Sequence, residues 1–258
     1  MSTSTLARPA VRRRTPVART VRHLLTMLLY LAVWFWGIAV VVLALALLLV
    51  DRFGEVETSV VQFARQGGIW FPFSLMVILA TTYLPTHVAA GMTRRAFATA
   101  ALVAAGVVAT VYAAVLTLLV QVERSVFDLA GWPHTLSDIG LSATSSGTAV
   151  DLGRLFLDYL LMFGSGVVSG LLVGIVYYRA GGWWGTLALP LTLGPLFLLT
   201  ALLASDAGPF DLAWVVDRFG TGGGDVLARV VLSALIIAAQ AAAFHGLTRR
   251  AALNRVTT

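Results

Sequence analysis

LLTMLLYLAVWFWGIAVVVLALALLLV, residues 24–50, is an apolar run of 27 residues without a charge; six arginines precede it and Asp51 follows it directly. A helix needs roughly 20 apolar residues to cross the ~30 Å hydrocarbon layer, so this run can span. It is also too long for the core of a cleavable signal, about 7–15 residues, and reads as a membrane helix that stays. Five more apolar runs follow, at about 69–88, 96–120, 155–178, 183–204 and 227–247. The pattern predicts an all-α, polytopic membrane protein with six transmembrane helices.

The charges between the runs alternate. The N-terminal tail carries Arg8, Arg12, Arg13, Arg14, Arg19 and Arg22. The second connection carries Arg94 and Arg95, the fourth Arg179, and the C-terminal tail Arg249, Arg250 and Arg255. None of these segments holds an Asp or Glu. Eleven carboxylates sit in the odd-numbered connections, and the twelfth, Asp158, lies in the fourth run near its outer end. Basic residues are retained on the cytoplasmic side, so both termini are expected inside a plasma membrane. The expected division is a cytoplasmic tail over 1–23, a six-helix transmembrane domain over 24–247 and a second tail over 248–258. Within the first tail, VARTVRH (17–23) follows Thr15-Pro16, a helix start. It forms either a short interfacial helix or an extension of the first span.

Composition narrows the function. The chain is 59% hydrophobic, and its mean hydropathy of +0.88 excludes an ordinary soluble domain. The formal charge of +6 raises nucleic acid as a partner. The arginines flank spans, however, and read as topology signals that meet anionic lipid head groups. There is no cysteine, hence no disulfide or thiol chemistry. There is no lysine either, and a phosphate-binding P-loop needs one. If ATP drives this protein, a separate polypeptide hydrolyses it.

Internal chemistry is sparse. Arg154 and Asp158 are four residues apart around the start of the fourth run, a spacing that lets them pair as an intramembrane charge pair. Gln240 in the last run reads as an interhelical hydrogen-bonding residue. Ser165, Ser169 and His245 raise an intramembrane serine protease, but Ser169 and His245 fall in the inner halves of their spans and the serine context reads V-V-S-G. No catalytic residue is assigned. His23, His87, His134 and His245 are scattered without metal-ligand spacing, so no metal site is expected. Gly166, Gly170 and Gly174 share one helix face at four-residue spacing, which permits close backbone packing within the bundle or between subunits. Pro190, Gly194 and Pro195 predict a kink in the fifth run. FDLAWVVDRF (210–219) has amphipathic spacing in the last outer connection. The longest loop, 121–152, has room for one short helix at its start.

The cytoplasmic segment LPTHVAAGMTRRAF, residues 84–97, resembles the connection after the second span in type-2 ABC transporter permeases, of an actinobacterial kind: a Gly, an Arg pair and an aromatic before the third span. Here these are Gly91, Thr93, Arg94, Arg95 and Phe97. The plan of six spans with both termini inside is similar, with residues 17–23 and 210–219 where the family has an interfacial helix and a re-entrant element. The 121–152 loop departs from that plan. The resemblance implies that 85–95 is a coupling helix, with Arg94 and Arg95 facing a soluble ABC ATPase subunit or anionic lipid. It implies a homodimer or a second permease as partner, ATP bound by the ATPase and no cofactor in this chain. The function implied is the permease subunit of an exporter for an amphipathic or lipid-like substrate, a transporter subunit and not an enzyme. The other reading of the same residues is a non-transporting membrane protein: a scaffold, a regulator or an immunity factor.

Overall fold

The structure is a computed structural model that describes residues 16–53, 59–132, 149–203 and 225–251. Every regular element among them is helical. In chain order they are α1 (Pro16–Phe53), a 3-10 turn (Val61–Phe63), α2 (Ala64–Ile78), a π turn (Leu79–Tyr83), α3 (Leu84–Ala89), α4 (Arg94–Ala130), α5 (Ala149–Leu187), α6 (Leu189–Leu203) and α7 (Asp225–Arg249). Five helical rods are long and apolar enough to cross a membrane: Val17–Phe53, Val61–Ala89, Arg94–Ala130, Leu152–Leu187 and Leu227–Arg249. The tail 1–15, residues 133–148 of the long loop, the 210–219 segment and residues 252–258 lie outside the described residues.

Helix α1 starts at Pro16 and runs through residues 17–23 into the first span without a break. Neither Gly nor Pro separates the two stretches, so 17–23 is an extension of the span and not a separate interfacial helix. Thr20, Leu24, Leu28, Ala32 and Trp36 form its buried stripe at four-residue spacing. The opposite side, with Tyr30, Trp34, Ile38 and Leu45, is exposed. An apolar outer face is the expected surface for a helix bathed in lipid.

The second rod is α2, the π turn and α3 end to end. Pro85 explains the π turn just before it: a proline ring clashes with the carbonyl four residues back, and one wider turn opens that space. The Thr86 hydroxyl donates to the Tyr83 carbonyl at 2.9 Å. The rod reaches Ala89, so the connection to α4 is only residues 90–93. The 85–95 segment expected to be a coupling helix is thus divided: its first half continues the second rod, and Arg94 and Arg95 open the next.

Helix α4 is the Ala-rich rod, and small side chains let neighbours approach it closely. It extends past the expected end at 120 to Ala130, where Gly131 closes it at φ 71. That extension turns Glu123 from a loop carboxylate into a buried helix residue. Its carboxylate accepts from the Ser59 hydroxyl, from Val60 N at 2.8 Å and from Val61 N at 3.0 Å. The rod that begins at Val61 thus has free amide donors satisfied by a carboxylate from another helix. Glu123→Ala strips these donors of their acceptor in a buried place and should cost about 2 kcal/mol. The check is the thermal midpoint of purified protein, with Asp128→Ala, on the same helix, as control.

Helix α5 is the centre of the bundle and packs against α2, α4, α6 and α7. Its course is broken at Gly181, whose φ of 76 suits a residue without a Cβ. Beyond this kink, Gly182–Leu187 is placed so that Tyr177 Oη and Thr186 Oγ1 lie 3.0 Å apart. Trp183 and Trp184 lie in this segment, after the kink, and a turn at Ala188 separates it from the next helix. In the fifth run that helix is α6, 15 residues or about 22 Å at ~1.5 Å per residue, shorter than a full crossing. The chain does break at Gly181, just before the expected start at 183; what differs is a second break, at Ala188, that splits the run. Among the described residues, five rods are long enough to cross and the remaining apolar run is this shorter helix. Pro195 lies inside α6 and Pro190 in its first turn.

Candidate functional site

Three places gather the residues singled out in the sequence. The first is the 90–93 turn. Gly91 adopts φ 79, which lets the chain reverse within four residues. Thr93 is the N-cap of α4, its hydroxyl accepting from Ala96 N at 3.1 Å. Arg94 and Arg95 are the first two residues of α4; Arg95 is exposed and Arg94 half-buried. Phe97 is fully buried, and its ring centroid lies 5.5 Å from that of His87. The two rods are therefore clamped together beside the turn, and α1 is tied to both rod and turn: Thr20 Oγ1 lies 3.2 Å from His87 Nε2 and donates to Met92 Sδ at 3.9 Å.

The second place is the glycine face. A Cβ on Gly170 would overlap the Phe73 carbonyl oxygen and stand 3.0 Å from Met76 Cβ. On Gly174 it would stand 2.7 Å from both the Val77 carbonyl oxygen and the Ala80 Cβ, and on Gly166 3.3 Å from Ile69. All these contacts belong to the second rod of the same chain. The alternative left open by spacing is thereby decided in favour of packing within the bundle.

The third is a polar seam between α5 and α7. Asp158, Ser165 and Ser169 share one face of α5 at spacings of seven and four; Arg229, Ser233 and Gln240 share one face of α7 at spacings of four and seven. Ser165 Oγ donates to Gln240 Oε1 at 3.2 Å, and Gln240 Nε2 donates to Ser169 Oγ at 2.7 Å. One amide thus bridges both serines, and the structure brings them to Gln240 where the protease reading needed His245. Asp158 is 2% exposed and feels Arg229 first and Arg154, its own-helix neighbour, second. Arg229 is the neighbour that sequence spacing did not reveal, because it comes from another helix. The matched spacings on α5 and α7 were the available signal. At the far end of the two helices, Arg179 Nη1 donates to the Leu247 carbonyl at 3.2 Å, a cation at a helix C-terminus.

Among the described residues, no group of three His, Cys, Asp or Glu is placed to hold a metal ion. Comparison with protein-family models, with curated proteins and with solved structures gives no match.

Proposed function

We propose that this chain is the membrane-spanning permease subunit of an ABC-type exporter, moving an amphipathic or lipid-like substrate while a separate subunit hydrolyses ATP. The observation that carries the reading is the turn at residues 90–93 with Arg94 and Arg95 directly after it at the start of α4. It joins two membrane-length rods, leaves Gly91, Thr93 and the adjoining Arg95 exposed, and is tied to α1 through Thr20 and His87. A push on such a turn moves three helices at once, as a coupling element must. A short turn fixed to two rods also transmits displacement with less loss than a helix on loose ends. The glycine face is occupied inside the bundle, so pairing with a second permease falls to another surface. The exposed apolar side of α1 offers one.

The reading requires the turn to be cytoplasmic. In intact cells, Ser145→Cys should react with an impermeant thiol reagent and Thr93→Cys should not. The chain has no cysteine of its own, so the background is clean. Labelling in the opposite order overturns the orientation. The function itself is tested by ATP turnover: the purified chain, mixed with a P-loop ATPase encoded beside it, should stimulate hydrolysis. If no ATPase binds the chain, the scaffold, regulator or immunity reading replaces this one.

A further inference from the structure

A cavity of about 630 Å³ opens between the start of α1, the end of α3 and the 90–93 turn. Arg19, His23 and His87 line it together with the turn residues Gly91 and Thr93. Among the described residues no carboxylate lines it, and Leu24 supplies part of its apolar wall. A guanidinium and two imidazoles thus meet around one space, and no described wall residue carries an opposing charge. The first turn of α4, opened by Thr93, adds the positive end of a helix dipole on the same side. Basic side chains beside a helix N-terminus, next to an apolar wall, suit an anionic group carried on an apolar stem.

We propose that this cavity binds a phosphate-bearing anion, seated between Arg19, His23 and His87, that fastens the 90–93 turn to α1. The chemistry is shared by an anionic phospholipid head group and by free phosphate. The site needs only the described geometry and stands whether or not the chain is a permease.

The test uses the full chain purified in neutral detergent and freed of lipid. Its thermal midpoint is followed against added dioctanoyl phosphatidylglycerol, dioctanoyl phosphatidylcholine or inorganic phosphate, and apparent affinities are taken from the shifts. Phosphatidylglycerol should raise the midpoint, and phosphatidylcholine, whose charge is cancelled, should not. Arg19 and His23 are exposed, so the Arg19→Gln/His23→Gln variant should fold. It should bind phosphatidylglycerol about five-fold more weakly or worse, five-fold being the order expected for the loss of one arginine near a membrane surface. Arg250→Gln, just past the end of α7, should bind like the parent. If inorganic phosphate protects as well and with the same variant loss, the ligand is a soluble phosphate; if it does not, the ligand is a lipid. Equal protection by both lipids, parent-like binding by the double variant or an equal loss in Arg250→Gln each overturns the site.

Discussion

Gly170→Leu should leave the protein severely destabilised, losing about 3 kcal/mol or more, the upper end of what overpacking costs. For a chain of this size that corresponds to a fall of about 10 °C in the thermal midpoint. The reason is local. The first atom of any side chain at 170 would overlap the Phe73 carbonyl oxygen. Backbone cannot rotate away as a side chain can, so α5 and α2 must separate. In a membrane the bundle is held by van der Waals contact and not by exclusion from water, and separation forfeits that contact along the whole face. Gly174 stands in the same position against Val77 and Ala80. Gly106 on α4 has nothing within 4 Å of its would-be Cβ. Gly106→Leu should therefore be neutral or slightly stabilising, since leucine favours a helix over glycine. Thermal midpoints of both variants in detergent decide the matter. Equal midpoints would mean that the glycine face does not carry the packing.

Replacing Arg94 and Arg95 together with glutamine should abolish stimulation of the partner ATPase while leaving the chain inserted and stable. Both residues open α4, where arginine is electrostatically misplaced: a cation near a helix N-terminus opposes the dipole. Removing the charges should not weaken the helix, and Thr93 keeps its cap. Orientation should also survive, because the arginines of the two tails remain as the signals expected to keep the ends inside. On the permease reading, what is lost is the contact of these two arginines, at the start of α4, with the proposed ATPase. The expected readout is ATP turnover at the level of the ATPase alone, with co-purification weakened and the thermal midpoint unchanged. A double variant that binds and stimulates like the parent removes the coupling role from this turn. A fall in midpoint together with turnover would mean that the arginines serve the fold instead.

The helical rods were legible in the sequence because each is long, apolar and bounded by charge. The start of α1 at Pro16 and the close packing at Gly166, Gly170 and Gly174 were likewise written in local residues. The ends of the rods were less legible. Apolar composition stops where the hydrocarbon stops, but hydrogen bonding does not, so α4 runs on through Glu123 to Ala130 and the second rod runs on to Ala89. The 183–204 run was divided by a turn at Ala188, and Gly181 kinks the chain just ahead of it.

By itself, then, the sequence determined that this chain is a bundle of apolar helices, which residues break or tighten them, and that it carries no P-loop. These properties depend on neighbours within a few positions along the chain. Only the tertiary structure decided which helix the glycine face meets, that Gln240 holds both Ser165 and Ser169, that Arg229 acts on Asp158, and that Arg19, His23 and His87 surround one cavity. Each of these joins residues far apart in sequence, and pairing across helices depends on their rotation and register. The helical period sets which residues share a face; the packing of the whole bundle sets what that face touches.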